Sequence, residues 1–384
     1  MENFKHLKIA YHLACGRGQG RELLIFRFLR SASSSSKSRS DPKWWLLILM
    51  MMAPVCAFAW DTRPTHPYLS GKMVECYNLK FPEPDLVSVD TILRGAVVED
   101  AAKYCYNRAF NHFYDPTAIG PDKIGIPGLY SLGFNDAITW ATSPSAQSAN
   151  VPSGLPTGIY CDNFGGGEPY PYGDLSFPTA IAIYDTDQSR ALKNLGAVTH
   201  LIEDMAVPAH TRGDPHTEGD SLERLIGFDT YSLDGAVCNP PGLSGANAVA
   251  QLQDAMRRLA MIGSQGFFSD STWAEPTPYL TWTKTGSVVE TDGGKYIYAL
   301  GTLEIPAGIF PGGETYPEHK IGQVSALAPK ELAADWLKDP DPDQMKNFLV
   351  INRYVALAYY RILGRKAIEF GAAMMDAYFK EVLP

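Results

Sequence analysis

The stretch LGAVTHLIEDMAVPAHTRGDPHTEGD, residues 195–220, holds three histidines and several carboxylates within 26 residues. Read as a helix, the chain that enters it has an apolar face at steps of four, three and four residues, formed by Ala191, Leu195, Val198 and Ile202. His200 and Asp204 are four residues apart and would point to nearly the opposite side. An imidazole and a carboxylate in this arrangement suit zinc, which takes nitrogen and oxygen ligands. The stretch predicts the core of a metal site; for an isolated pair the alternative is a solvated helix face.

The neighbours of this pair predict where the helix ends and what lies beside it. Gly196 and Ala197, one turn before His200, are small and leave room for another element. Pro208 cannot lie in a helix interior, so we expect the helix to end by the residue before it. The chain would then turn just before His210.

Residues 1–59 are predicted to be an N-terminal extension and signal peptide outside the fold. SASSSSKSRSDPK at 31–43 is a serine-rich basic run, and WWLLILMMMAPVCAFA at 44–59 is a short apolar core that ends in small residues. The apolar run is too short for a comfortable membrane span, and Pro54 interrupts it. A cut after Ala59 would make Trp60 the mature N-terminus of an exported protein, periplasmic or extracellular. A retained signal anchor is the alternative, and the true start codon could lie further along.

The remaining residues, 60–384, are predicted to form one domain. Loss of nine basic and three acidic residues with the leader leaves 24 basic and 39 acidic residues, a net charge of −15. A surface that acidic repels phosphate backbones and gives nucleic-acid binding no general support. In an exported protein an even number of cysteines favours disulfides. Three pairings are open among the four that remain: Cys76, Cys105, Cys161 and Cys238.

The hydrophobic pattern predicts a mainly α fold with a small β-hairpin insertion. Helices are expected over most of 86–110, and over 133–142, 178–206, 218–228 and 246–263. A further helix could open at Pro329, and the last is a long C-terminal helix with the stripe Phe348, Ile351, Val355, Tyr359 and Ile362. Residues 270–320 are the insertion, with a hairpin that turns at Asp292-Gly293-Gly294. Residues 145–177, rich in Gly, Pro, Ser and Tyr, are typical of a long ordered loop.

Six histidines remain without the leader, and five have surroundings of metal-ligand character: His66, His112, His200, His210 and His216. His216 and Asp220 repeat the spacing of His200 and Asp204, and Glu223 lies three residues further along the same face. His112 lies in the sequence NHFYDP, twelve residues after Asp100. His66 follows Trp60, whose amine would be free in the mature chain, by six residues. Each fragment alone fits a structural role; together they predict a metal site.

The sequence GAVTHLIEDMAVPAH resembles the signature of the zinc-dependent phospholipase C and S1/P1 nuclease superfamily. The shared features are His-x3-Asp-x5-His and a proline two residues before the last histidine. Members of that superfamily are mainly helical, hold three zinc ions and use a mature N-terminal tryptophan as a ligand, in agreement with a cut that exposes Trp60. NHFYDP resembles a segment of the bacterial phospholipase C branch. The resemblance covers residues 60 to 227 and implies a phospholipase C/P1 nuclease-like domain.

Carried over residue by residue, the resemblance implies three zinc ions. The first would bind Asp100, His112, His200 and Asp204. The second would bind His210, His216 and Asp220. The third would bind Trp60 and His66 and share Asp204 as a bridge. Two departures affect the second ion: His210 and His216 are only six residues apart, and the final pair is His-x3-Asp, as in the nuclease branch, where phospholipases carry His-x3-Glu. Glu223 is the candidate substitute or a partner of a ligand.

Clustered zinc ions lower the pKa of bound water, so attack on a phosphodiester would need no protein nucleophile. By the resemblance, Asp100 would also accept a proton, and Asp100 and Asp204 are the expected catalytic residues. The expected enzyme is a phospholipase C that hydrolyses the glycerol-side phosphodiester of phospholipids through a metal-bound hydroxide. An S1/P1-type single-strand nuclease is the alternative, and a non-catalytic exported zinc-binding protein is a third.

The expected partner is a phospholipid or another phosphodiester, with transient contact to a membrane surface. Nucleic acid is expected only under the nuclease alternative, and the sequence indicates no obligate protein partner. Phe110, Phe113 and Tyr114 are candidate apolar or cation–π contacts to a head group, with plain core as the alternative.

Overall fold

The computed structural model describes residues 65–81, 89–100, 108, 110–119, 123–126, 134–148, 174–214, 220–228, 233, 238–273, 275–291, 294–325 and 348–383. The predicted leader, Trp60 and His216 lie outside these residues, and so do residues 149–173 and the helix expected after Pro329. No helix of the described residues is long and apolar enough to cross a membrane.

Ten helices and one sheet lie within these ranges, so the predicted mainly α class is confirmed. The helices are α1 (Thr65–Lys80), α2 (Val89–Asp100), α3 (Ala137–Thr142), α4 (Pro144–Ser148), α5 (Phe177–Ile183), α6 (Gln188–Asp204), α7 (Pro208–Thr211), α8 (Ser221–Phe228), α9 (Ala248–Gly266) and α10 (Arg353–Val382). The strands are β1 (Leu280–Thr291), β2 (Gly294–Ile305), β3 (Glu314–Val324) and β4 (Leu349–Val350).

The helix predicted over 178–206 is wrong as a single element, because the chain breaks between α5 and α6. The Asp187 side chain accepts a hydrogen bond from the backbone N–H of Arg190 at 3.1 Å. This bond satisfies a donor that the first turn of α6 leaves unpaired, so Asp187 starts a new helix. The other end agrees with the prediction: α6 stops at Asp204, and Pro208 opens α7.

The room predicted beside Gly196 is filled by α2. A Cβ atom on Gly196 would lie 2.0 Å from the carbonyl oxygen of Ile92, and one on Gly95 would lie 2.1 Å from the carbonyl oxygen of Lys193. Only glycine, which has no Cβ, fits at such a crossing. The two backbones therefore meet one turn before His200.

Helix α6 is buried on all sides along its second half. Every residue from Asn194 to Asp204 is buried, because α1, α2, α5 and α10 all pack against this helix. A solvated face for His200 and Asp204 is therefore wrong, since both side chains are fully buried.

The predicted hairpin is confirmed, but it is half of a larger antiparallel sheet in the order β1-β2-β3-β4. Thr291 and Gly294 are the last paired residues before its turn. The prediction of a hairpin alone was wrong because β3 has a proline, Pro317, inside it, which weakens a strand pattern. Tyr298 and Ile321 from the sheet join the main core, so the sheet packs with the helices.

The C-terminal helix is present but begins later than predicted. Asn352 caps α10, its side chain accepting hydrogen bonds from the backbone N–H groups of Tyr354 at 3.1 Å and Val355 at 3.0 Å. Phe348 and Ile351 therefore precede the helix, and the residues between them form β4. The rest of the predicted stripe is buried within the helix as expected: Val355, Tyr359 and Ile362.

One disulfide joins Cys76 on α1 to Cys238, with the two Cα atoms 5.6 Å apart. This bond is one of those that the sequence left open. Cys105 and Cys161 lie outside the described residues. The disulfide holds α1, which carries His66, to the segment that leads into α9.

Candidate metal centre

Three histidines from three segments meet at the carboxylate of Asp204. His112 Nδ1 lies 3.0 Å and His200 Nε2 lies 3.3 Å from Asp204 Oδ2. His66 Nε2 lies 3.8 Å from Asp204 Oδ1. All four side chains are at most 1% exposed. The fold thus brings residues 138 positions apart in the chain, from His66 to Asp204, into one buried cluster.

The rings of this cluster are packed closely enough to share an ion. The His66 and His200 rings stack with their centroids 3.8 Å apart, and the His112 ring meets the His200 ring edge-on at 5.0 Å. One ligand atom from each of His66, His200 and Asp204 lies within 4.8 Å of the other two. Nitrogen and carboxylate donors in this number suit zinc.

The second nitrogens of His66 and His200 are held by oxygen atoms, and that of His112 lies near one. His66 Nδ1 contacts Glu203 Oε2 closely, and His200 Nδ1 donates to the carbonyl oxygen of Ala96 at 2.8 Å. His112 Nε2 lies 3.5 Å from Glu99 Oε1. Metal-binding histidines are ordinarily held in this way, which fixes the tautomer and leaves the other nitrogen for the metal.

Asp204 itself has the environment expected of a metal ligand. Its two buried oxygens lie 3.0 to 3.8 Å from three imidazole nitrogens. A buried carboxylate charge is costly, and a cation between it and the imidazoles would offset that cost. The residues present therefore fit a zinc ion.

Burial and nearby charges shift the pKa values of Asp204, Glu99 and Glu203 in different directions. Burial would raise the pKa of Asp204, but charges on His200, His210 and His112 outweigh it and hold this pKa well below the usual range. Burial of Glu99 is likewise outweighed by Arg108 and His112, which lower its pKa to about 2. Burial prevails at Glu203 and raises its pKa well above the usual value.

His210 lies beside this cluster in a second group. Its Nδ1 donates to the carbonyl oxygen of His112 at 3.0 Å, and its Nε2 lies 3.1 Å from Glu223 Oε1. The Phe113 ring stacks on the imidazole with centroids 4.5 Å apart. The chain between α6 and α8 thus brings His210 and Glu223 together next to His112.

Asp220 and Glu223 have different surroundings. Asp220 Oδ2 accepts a hydrogen bond from the backbone N–H of Leu222 at 2.8 Å, at the start of α8. Glu223 projects from the first turn of that helix to His210. Glu223 is thus in contact with His210, a predicted ligand.

The side chains of three predicted ligands lie outside the part of the chain that the structure describes. Trp60 and His216 lie outside the described residues. Asp100 is the last residue of α2, on the helix that supplies Glu99 and the Ala96 carbonyl. Its side chain also lies outside the description.

The three aromatic residues proposed as substrate contacts differ in burial. Phe113 and Tyr114 are 4% and 7% exposed and pack in the interior. Phe110 is partly exposed and packs against Phe134. Burial favours a core role for the first two.

Glu99, Glu203 and Ser70 contact the cluster or its anchors and were not predicted. Arg108 Nη2 and Trp140 Nε1 both donate to Glu99, the latter at 2.9 Å. A sequence signal exists: α2 contains GAVVED and α6 contains GAVTHLIED, so each has Gly-Ala-Val and then Glu-Asp. The two glycines mark the helix crossing, and each Glu-Asp pair lies near the cluster.

Comparisons of the chain with family models, with curated proteins and with solved structures found no match. The resemblance drawn from the sequence therefore rests on its motifs.

Proposed function

We propose that the chain is an exported zinc-dependent phosphodiesterase of the phospholipase C type, with a metal centre built around Asp204. One observation carries the proposal: His66, His112 and His200 each turn one nitrogen to Asp204, and the other nitrogen of each ring faces an oxygen atom. A salt-bridged core would not need three imidazoles around one fully buried carboxylate.

Residues from α1, α6 and the segment around His112 would hold the ions. His66, His200 and Asp204 offer the tightest set of donor atoms. By the resemblance, Asp100 and Trp60 would add ligands, and Asp204 would bridge two ions.

For the ion near His210, we propose Glu223 in the place first given to Asp220. Glu223 Oε1 lies 3.1 Å from His210 Nε2, whereas Asp220 accepts a hydrogen bond from the backbone of α8. A carboxylate already bonded to a helix N-terminus is less available to a cation. If Glu223 is the ligand, the spacing of His216 and Asp220 gives less support to a nuclease.

Bound zinc supplies a water of lowered pKa and neutralises the charge of a phosphodiester. The chain contributes rigid, buried ligands: the cluster side chains are at most 1% exposed and are fixed by hydrogen bonds before a substrate arrives. Such preorganisation in a site of low dielectric strengthens electrostatic stabilisation of the reaction. Asp100 would take up the proton, on the resemblance alone.

The choice of a phospholipid over a nucleic acid rests on two features of the sequence. NHFYDP resembles the bacterial phospholipase C branch, and a net charge of −15 for residues 60–384 disfavours a polyanion. Transient contact with a membrane surface follows from that substrate. A single-strand nuclease remains the second candidate through the spacing of His216 and Asp220.

Turnover tests the proposal. The purified protein would be offered phosphatidylcholine vesicles, a chromogenic phosphocholine ester and single-stranded DNA, each with and without a chelator and after zinc is restored. We expect chelator-sensitive hydrolysis of the choline esters. Hydrolysis of DNA alone would favour the nuclease, and no turnover at full zinc loading would overturn the enzymatic proposal.

A further inference from the structure

Glu203 and Asp204 are adjacent on α6, so their side chains leave the helix about 100° apart. Asp204 turns to the histidine cluster, and Glu203 turns to α1. There Glu203 Oε2 contacts His66 Nδ1, and Glu203 Oε1 accepts a hydrogen bond from the hydroxyl of Ser70 at 2.7 Å. Both oxygens of this fully buried carboxylate are thus occupied by α1.

Ser70 links Glu203, through Thr199, to the backbone of α6. His66 and Ser70 are four residues apart on α1 and share one face. Ser70 Oγ also lies 2.9 Å from Thr199 Oγ1, which donates to the carbonyl oxygen of Gly196 at 2.7 Å. The position of Glu203 is therefore fixed by both helices that meet at the site.

We propose that Glu203 is a positioning residue that holds His66 with its Nε2 directed at a metal bound to Asp204. This inference rests on the metal centre of the proposed function. In the tautomer that this role requires, Nδ1–H donates to Glu203 and the lone pair lies on Nε2, the nitrogen 3.8 Å from Asp204 Oδ1. Glu203 is not itself the ligand, because both its oxygens are engaged by His66 and Ser70.

The contact that holds His66, unlike the one that holds His200, can be removed by a substitution. His200 is anchored by the backbone carbonyl of Ala96, which no substitution removes. His66 is anchored by a side chain, so Glu203 can be altered while the cluster itself is left intact. In the sequence, Ser70 and His66 lie more than 130 residues from Glu203.

Zinc titration of Glu203→Gln tests the inference. The whole protein, stripped of metal, would be titrated with Zn²⁺ alone in competition with a chromophoric chelator. We expect the variant to lose about 10- to 100-fold in affinity for one zinc ion, the range for loss of an outer partner of a ligating histidine. The metal-free variant should unfold at the same temperature as the metal-free wild type, because glutamine retains the volume and an acceptor oxygen. The Co²⁺-loaded variant should show an altered visible spectrum.

Glu369→Gln is the matched control. Glu369 is equally buried but lies on α10, where Lys366 and Arg365 donate to it at 3.0 and 3.1 Å. This control should lower the unfolding temperature and leave zinc affinity unchanged. Ser70→Ala removes one hydrogen bond to Glu203, so the affinity for the same zinc ion should fall by a smaller factor. If Glu203→Gln does not fold, the zinc affinity of Ser70→Ala decides whether Glu203 has this role.

The outcomes separate this inference from the proposed function. Wild-type zinc affinity in both Glu203→Gln and Ser70→Ala would overturn the role of Glu203 alone. Absence of zinc binding by the wild-type protein would overturn both proposals. Weakened zinc binding by the variants of a protein that hydrolyses no phosphodiester would support the role of Glu203 and overturn the proposed function.

Discussion

At the scale of single residues, Asp204 is the side chain on which the cluster depends. Its carboxylate is fully buried, and three imidazole nitrogens lie 3.0 to 3.8 Å from it. An amide at this position would keep the shape and remove the negative charge. The imidazoles would then face a neutral group that cannot hold a cation between them.

We therefore predict that Asp204→Asn loses bound zinc and lowers phosphodiesterase activity by more than about 100-fold, beyond the loss typical of an outer partner. Zinc content by elemental analysis and initial rates would check this. The matched control is Asp187→Asn, the same substitution at the exposed start of the same helix, where asparagine also caps well. Full zinc content in Asp204→Asn would contradict the prediction.

Glu223 and Asp220 give a second prediction at this scale. Glu223→Gln should reduce the zinc content by one ion, because Glu223 is the acid in contact with His210. Asp220→Asn should keep full zinc content, since asparagine can still accept the hydrogen bond from the N–H of Leu222. Metal analysis of the two variants side by side checks both, and the reverse pattern would restore Asp220 as the ligand.

At the scale of elements, the crossing of α2 and α6 sets the geometry of the site. Gly95 and Gly196 allow backbone contact, which brings the Ala96 carbonyl within 2.8 Å of His200 Nδ1. Any side chain at this crossing would force the helices apart. The ring of His200 would then lose the anchor that directs its Nε2 to Asp204.

Gly196→Ala should accordingly lower the free energy of unfolding by about 1–3 kcal/mol or more, as overpacking of a core does. Zinc affinity should fall with it. Urea unfolding of the metal-free protein and zinc titration measure the two effects. Gly242→Ala is the control, because a Cβ there meets no atom within 4 Å; equal stability of both variants would argue against the close crossing.

The sheet carries a buried histidine that should make stability depend on pH. His319 on β3 packs against Phe267 and Tyr359 and is 3% exposed. Burial lowers its pKa from 6.5 to about 3. Below pH 6.5 the unfolded chain therefore takes up a proton that the folded chain does not, and stability is lost as the pH falls toward 3.

Replacement of His319 by phenylalanine should remove this part of the pH dependence of the unfolding free energy. Between pH 6 and pH 4 the wild type should lose up to about 1.4 kcal/mol per pH unit more than the His319→Phe variant. Urea unfolding at several pH values checks the slope. Parallel pH profiles for the two proteins would show that His319 does not contribute.

At the scale of the whole molecule, one covalent link joins distant parts of the chain. Cys76 and Cys238 are 162 residues apart, so their disulfide restricts the unfolded chain strongly. The chain-entropy model puts such a link at about 5 kcal/mol as an upper figure. The double variant Cys76→Ser, Cys238→Ser should unfold at a lower urea concentration than the wild type, and an unchanged midpoint would contradict this expectation.

The sequence predicted what is local and missed what is assembled from distant segments. His200 and Asp204 were identified because their spacing of four is visible within one helix, and the small Gly196 correctly indicated a neighbouring element. Glu203 was missed because its partners His66 and Ser70 lie more than 130 residues away. No periodic pattern carries that information.

The same reasoning explains the errors in the fold. The mainly α class follows from long periodic stretches, which dominate the described residues between 174 and 266 and residues 353–382. Strand β4 is two residues long and forms only by pairing with β3, so it was taken for the start of α10. Asp187 was overlooked as a cap, although aspartate favours caps and turns over helix interiors.

Anomalous diffraction at the zinc edge, from crystals of the zinc-loaded protein, tests the proposed metal centre most directly. We expect a zinc peak at about 2.0–2.2 Å from an oxygen of Asp204 and from ring nitrogens of His66 and His200. The absence of any peak within bonding distance of Asp204 would contradict the proposal.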